Sequence, residues 1–221
     1  MTDQPGAPDS FVRALGDPDA SVRLAAAMQA GMAPGSERVA ALVARCSVEP
    51  DFYVRDMLTW ALIQHDHQQV IAEVLPELHS PVGQARAQAL HTLSKVRDPS
   101  VWPSITPDLL DDPDDDVART AWRAAAGLAP VEQRPWLAER LGSQWARGGR
   151  DVRLSLSQAL CSLGEPALPV IEQAMTSDDD EIRLHALATR RIFDDPDLAF
   201  DSAMEEARRV HTLRGAPLVD D

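Results

Sequence analysis

The chain has 221 residues, with 35 acidic and 21 basic side chains and a formal net charge of −14. That excess of negative charge disfavours a protein that neutralises nucleic-acid phosphates over a broad face, or one that docks on an anionic membrane. Aromatic residues make up only 5 %, and Ala and Leu supply most of the apolar mass in place of β-branched residues, which favours helix over sheet.

In chain order, residues 1–9 read as a flexible start without the basic stretch and apolar run of a signal peptide. No later stretch approaches the ~18 apolar residues of a membrane span, so the expected location is the cytoplasm. From residue 10 onward the chain repeats itself. Segments 17–31, 49–62, 80–93, 112–128, 148–164 and 178–192 each open with a polar or Pro-containing turn and then place a small aliphatic anchor at Val22, Val54, Ala85, Val117, Val152 and Ile182. The anchors are spaced by 32, 31, 32, 35 and 30 residues, the signature of a repeat architecture with one modest insertion.

Four, seven and eight residues after each anchor the chain is mostly Ala or Leu, the stripe of an amphipathic helix with close neighbours. Asp, Ser or Glu just ahead of the anchors can accept bonds from first-turn amides, and Pro18, Pro50, Pro81 and Pro113 stand where these helices begin. A second amphipathic segment lies between them each time, at 36–46, 67–79, 100–110, 131–146 and 166–176. The unit is a helical hairpin. Residues 197–213 read as a closing helix over the last apolar face, and 214–221 as a frayed tail. The expected fold is all-α: an α-solenoid of about six hairpins plus the closing helix, forming one domain over 10–213.

Three sets of residues carry the pattern most fully: Asp19, Val22, Arg23, Ala26 and Ala30; Asp51, Val54, Arg55, Leu58 and Leu62; Asp151, Val152, Arg153, Leu156 and Leu160. They resemble the start of the second helix in HEAT repeats, in the short bacterial form of the phycobilisome lyases, and the resemblance covers about residues 10–195. The third repeat departs by having Ala85 as its anchor, and the fourth by Ala118 at the arginine position with Arg119 beside it. The resemblance implies a solenoid whose second helices line a concave face. It leaves function open, because the family contains scaffolds, adaptors, lyases and one class of DNA glycosylase.

If each anchor points inward, residues two, five, six and nine positions later point into that groove at ~100° per residue. These include Leu24, Met28, Asp56, Thr59, Trp60, Ile63, His91, Arg119, Trp122, Arg123, Leu154, Gln158 and Arg191. Trp and Arg dominate binding energy at interfaces, so the candidate partner-binding set is Trp60, Trp122, Arg119 and Arg123, with Asp56 and His91. A shift of one residue in phase instead packs Trp60 and Trp122 between neighbouring helices. The arginines after the anchors, Arg23, Arg55, Arg86, Arg153 and Arg183, read as a ladder bonding to carboxylates or carbonyls of an adjacent repeat.

Constellations that suggest chemistry each lack a member. Cys46 and Cys161 are far apart and read as buried thiols. The acidic runs Asp111–Asp112 with Asp114–Asp116, and Asp178–Asp180 with Glu181, lack the alternation, Gly and distal Glu of a calcium loop and read as helix caps. His65 and His67 flank Asp66 without the further ligand a catalytic metal needs. Ser155 or Ser157 with His185 has no nucleophile elbow or oxyanion loop. The reading is a non-catalytic adaptor or scaffold without metal or cofactor. It would bind a protein or peptide, a basic one being favoured by the net charge, and neither nucleic acid nor membrane. The family resemblance implies the alternative of an enzyme or enzyme accessory similar to bilin lyases or alkylpurine DNA glycosylases.

Overall fold

The structure, a computed structural model, describes residues 10–198 and 200–214. The start expected at 1–9 and the tail beyond 214 lie outside the described residues. Helix α1 (Ser10–Leu15) precedes α2 (Ala20–Met32); α3 (Val39–Cys46) pairs with α4 (Phe52–Ile63), and α5 (His67–Val74) with α6 (Gly83–Val96). In the second half α7 (Pro107–Leu110) pairs with α8 (Asp115–Leu128), α9 (Arg134–Gly142) with α10 (Arg150–Leu163), and α11 (Leu168–Ala174) with α12 (Asp180–Asp194). Helix α13 (Phe200–Arg214) follows. No strand occurs among the described residues. The fold is all-α, an α-solenoid arrangement of hairpins. Where the even repeat suggested one domain over 10–213, backbone contacts gather into two compact units, residues 1–104 and 105–221.

The second helices are the regular ones. Asp19, Asp51, Asp114 and Asp179 cap α2, α4, α8 and α12, each accepting a bond from the amide two residues on at 2.8–2.9 Å. The cap therefore stands three residues ahead of the anchor rather than directly before it. Pro18, Pro50 and Pro113 sit one place earlier still, outside the helix. Val82 and Gly149 take the cap position of α6 and α10 without a side-chain bond. First helices are shorter because 3₁₀ turns consume part of each amphipathic segment. Ser36–Arg38, Val131–Gln133 and Glu165–Ala167 enter them and Leu75–His79 extends α5, with Pro76, Pro135 and Pro169 in the first turn of their helical stretches.

The arginine after the anchor staples the turn of its own repeat. Arg23 Nη1 donates to the carbonyls of Asp17 (2.8 Å) and Pro18 (3.0 Å), and Arg55 Nη1 to those of Glu49 (2.9 Å) and Pro50 (2.8 Å). Arg86 Nη1 donates to Ser80 O at 2.8 Å, and Arg183 to Ser177 O. The expected contact with a neighbouring repeat is made to carboxylates by Arg23 with Glu49 and Arg153 with Glu181, each at 2.7 Å. Glu49 is fully buried and receives a forked pair of bonds from Arg23, one from Arg45 Nε and one from the Asp51 amide. Burial alone would raise its pKa, but these four donors outweigh that and hold it at about 2.

The fourth repeat has Ala118 at the arginine position, and a different guanidinium fills the gap. Arg147, in the turn after α9, donates through Nη2 to Asp112 O, the carbonyl six residues before Ala118, and through Nε to Asp115 Oδ1 at 2.9 Å. The longer 35-residue spacing after this repeat spans the turn that carries Arg147. Closing helix α13 performs the expected task. Its Phe200, Ala203, Met204 and Ala207 pack with Leu187, Ala188 and Ile192 of α12, burying the apolar face that a further repeat would otherwise cover.

Candidate functional site

A single register rule fixes which side chains of the second helices reach solvent. Five residues after the anchor the position is buried in every repeat: Ala27, Thr59, Leu90, Trp122, Ser157 and Leu187. Six residues after the anchor it is exposed or half-exposed, as Met28, Trp60, His91, Arg123 and Gln158, until α13 covers Ala188. Ten residues after the anchor the exposed row continues as Met32, Gln64, Lys95, Gly127 and Ser162. Packing against surrounding helices explains the difference, because the fifth position turns toward them, Ser157 toward Thr189 of α12 and Trp122 toward the end of α7.

Trp122 is thus a correction to the expected partner set. Its side chain is 0 % exposed, its indole N–H donates to Leu110 O at 2.8 Å, and Arg147 lies over its ring at 5.8 Å. It fastens α8 to the end of α7, which removes it from any contact surface. Thr59 is likewise buried.

Trp60 combines both readings. A Cβ built on Gly31 of α2 would lie 2.2 Å from its Cζ3, so one part of the indole rests against the Gly31 backbone while 37 % of the residue stays exposed. Met28 and Met32, one helical turn apart on α2, are 42 % and 66 % exposed. Gly31 lies between them in the chain. Residues 20–64 therefore present an apolar strip of two flexible thioethers and one fixed indole, with Asp56 exposed on the same helix as Trp60. Met32 and Gly31 were missing from the sequence-derived set; the signal that would have found Met32 is its place ten residues after the anchor. His91 is half-buried on α6.

Arg119 and Arg123 belong to the second unit. Arg119 pairs with Asp116 one turn back at 2.9 Å. Arg123 is exposed and has no carboxylate partner among the described residues, only a long 3.5 Å bond to Thr120 Oγ1. Trp60, Asp56 and His91 lie in the first unit, so the five expected residues that are not fully buried divide between the two units.

The Ser–His pair is resolved by its protons. The Ala146 amide donates to His185 Nδ1 at 3.2 Å, which leaves the proton on Nε2, within 3.0 Å of Arg153 O and 3.1 Å of Ser157 Oγ. Thr189 Oγ1 lies 2.7 Å from Ser157 Oγ and donates to His185 O at 2.9 Å. A base that is itself the donor toward the serine cannot accept its proton. Burial pushes His185 down to about 4, so the neutral ring is a structural link between α10, α12 and the preceding turn. Cys46 and Cys161 are raised by burial to about 12 and about 11, far from thiolate chemistry. The acids of the Asp111–Asp116 run are engaged as caps or pairs: Asp111 with Arg140, Asp112 and Asp114 in turns, Asp115 with Arg147 and Asp116 with Arg119. No group of three His, Cys, Asp or Glu side chains among the described residues could hold a metal ion, and no helix among them is long and apolar enough to cross a membrane.

Stacked hairpins of 30–35 residues, stapled by an arginine at each second-helix start, define an all-helical repeat protein. Residues 39–127 match the family model described as HEAT repeats. Solved structures similar to it include two engineered proteins. Both are 16 % identical, with TM-scores of 0.47 and 0.46; they cover 89 % and 90 % of this chain and 96 % and 97 % of their own. A third is the complex of CpcE and CpcF of phycocyanin lyase from Nostoc sp. PCC7120. It is 16 % identical with a TM-score of 0.48, over 100 % of this chain and 92 % of that one. Comparison with curated proteins finds no match.

Proposed function

We propose that the chain is a non-catalytic adaptor or scaffold that holds a protein or peptide partner against the second-helix face of residues 20–64. The observation that carries this is the exposed strip of Met28, Met32 and Trp60. Methionines adapt to varied apolar surfaces, and a tryptophan already fixed on one side by Gly31 loses little freedom when its other side is covered. An exposed apolar strip on a chain of net charge −14 favours a partner segment with apolar anchors among basic residues, drawn in by the long-range field. The buried polar groups that suggest catalysis are taken up in structural bonds, in keeping with an adaptor that performs no reaction.

Affinity capture followed by mass spectrometry tests the reading when three variants are run beside the wild type. Trp60→Ala and Met32→Glu should lose the captured partner. Val131→Glu, at an exposed apolar position of the other unit, should keep it. Capture that survives both strip variants would refute the assignment, and stoichiometric nucleic acid or pigment in place of a protein would favour an enzyme-type role.

A further inference from the structure

The second unit carries a concavity of about 560 Å³ lined by side chains of α8, α10 and α12 and the turn beyond α12. Its size is that of a small-ligand or short-peptide site. One wall is apolar, formed by Ile192, Phe193 and Pro196, while Arg123, Gln158 and Ser162 supply polar groups. Residues 105–221 hold 23 acidic and 13 basic side chains, and most guanidiniums in the unit are matched to a carboxylate, among them Arg140, Arg147, Arg150, Arg153, Arg183 and Arg190. Arg123 is not. It stands one turn from Arg119, whose own charge is met by Asp116; partial burial and then the repulsion of Arg119 lower the Arg123 pKa, and the attraction of Asp116 opposes them. A guanidinium that finds no internal carboxylate in so acidic a unit, set beside an apolar wall, is a forked donor waiting for an anion with an apolar body.

We propose that this concavity recognises the C-terminal residue of a partner chain: Arg123 donates both arms of its fork to the terminal carboxylate, and the last side chain lies against Ile192, Phe193 and Pro196. A chain terminus fits better than an internal Asp or Glu, because it joins the carboxylate to an apolar side chain on one residue. It also brings a backbone amide and carbonyl for which Gln158 and Ser162 are suitable partners. The site is independent of the strip on residues 20–64, and either can fail without the other.

The test uses the immobilised full-length chain and two synthetic pentapeptide pools of identical randomised composition, one with free C-terminal carboxylates and one with C-terminal amides. The free-acid pool should be retained about tenfold better, which is the scale of one charge-assisted forked contact. Its retained members should be enriched in apolar last residues, and Arg123→Gln should bring the two pools to parity. Equal retention of the pools by the wild type, or a preference that Arg123→Gln leaves intact, overturns the proposal. So does retention of 4-phenylbutyrate without discrimination between the pools, which would give the cavity to a small carboxylate. Circular dichroism checks that Arg123→Gln stays folded. Should it unfold, Phe193→Ala takes its place: selection for an apolar last residue should vanish while the free-acid preference persists, and loss of neither refutes the site.

Discussion

Trp60 rests on Gly31, in space that a Cβ at position 31 would occupy, at 2.2 Å from Cζ3. The glycine is therefore required by the tryptophan, and the pair fixes how α4 lies against α2. Gly31→Ala should lower stability by about 1–3 kcal/mol, the usual cost of forcing atoms into a filled contact, even though alanine is the better helix former. The double variant Gly31→Ala with Trp60→Ala should recover part of that loss. Urea denaturation of the two single variants and the double would show it, and strict additivity would disprove the contact.

The two tryptophans should separate cleanly. Trp122→Ala removes a fully buried ring and leaves Leu110 O without its donor, so it should cost about 3–5 kcal/mol. Trp60→Ala should cost clearly less, because much of the indole is already in water, while weakening partner capture by about 2 kcal/mol. Thermal melts of both variants measure the contrast, and equal destabilisation would contradict it.

Arg147 and Ala118 make a compensating pair. Arg147→Ala leaves Asp112 O and Asp115 without their guanidinium and should lose about 1–3 kcal/mol. Adding Ala118→Arg to that variant should restore a good part, since an arginine there is in the position from which Arg55 and Arg86 reach the carbonyl six residues back. Ala118→Arg alone should destabilise, as two guanidiniums would then compete for one carbonyl. A double-mutant cycle followed by denaturation decides it.

Acid should weaken the two units in different windows. The His185 pKa is lowered by burial from 6.5 to about 4. Below pH 6.5 the unfolded chain takes up a proton that the folded chain refuses, and the stability this group lends falls as pH drops toward 4. The loss is on the order of 3 kcal/mol, and His185→Gln should flatten that limb of the curve. Glu49 is lowered from 4.5 to about 2 despite its burial, by Arg23, Arg45 and the Asp51 amide. Its contribution is present above pH 4.5 and disappears as pH falls from there toward 2. Proton NMR of His185 should show no titration between pH 8 and 5, and a midpoint near 6.5 in the folded protein would refute the buried neutral ring.

The hairpins, their number and the closing helix were legible because the anchors and the Ala/Leu stripe repeat with so little variation in length. The fate of individual side chains was less so. Rotation at ~100° per residue puts the fifth and sixth positions after an anchor on one broad face, yet packing against surrounding helices covers Thr59 and Trp122 and leaves Arg123 and part of Trp60 open. Sequence pattern reports a helix's own periodicity; it does not report where a neighbouring helix sits. Gly31 looked like one more small residue on α2, and only the indole above it gives it a role. The division at residue 104 had no signal in the chain, since it falls inside a first-helix segment between Pro103 and Pro107 where the amphipathic pattern runs on unbroken.

The borrowed guanidinium of Arg147 also bears on how such a chain could be shortened, lengthened or shuffled. Where a repeat fastens its own turn, as through Arg55 or Arg86, a segment one period long carries that fastening with it. The fourth repeat is not self-sufficient: its turn at Asp112 is fastened by a residue from beyond α9, so the smallest portable cassette here runs to at least residue 147. A graft or truncation ending near residue 130 would carry the hairpin and leave its fastening behind.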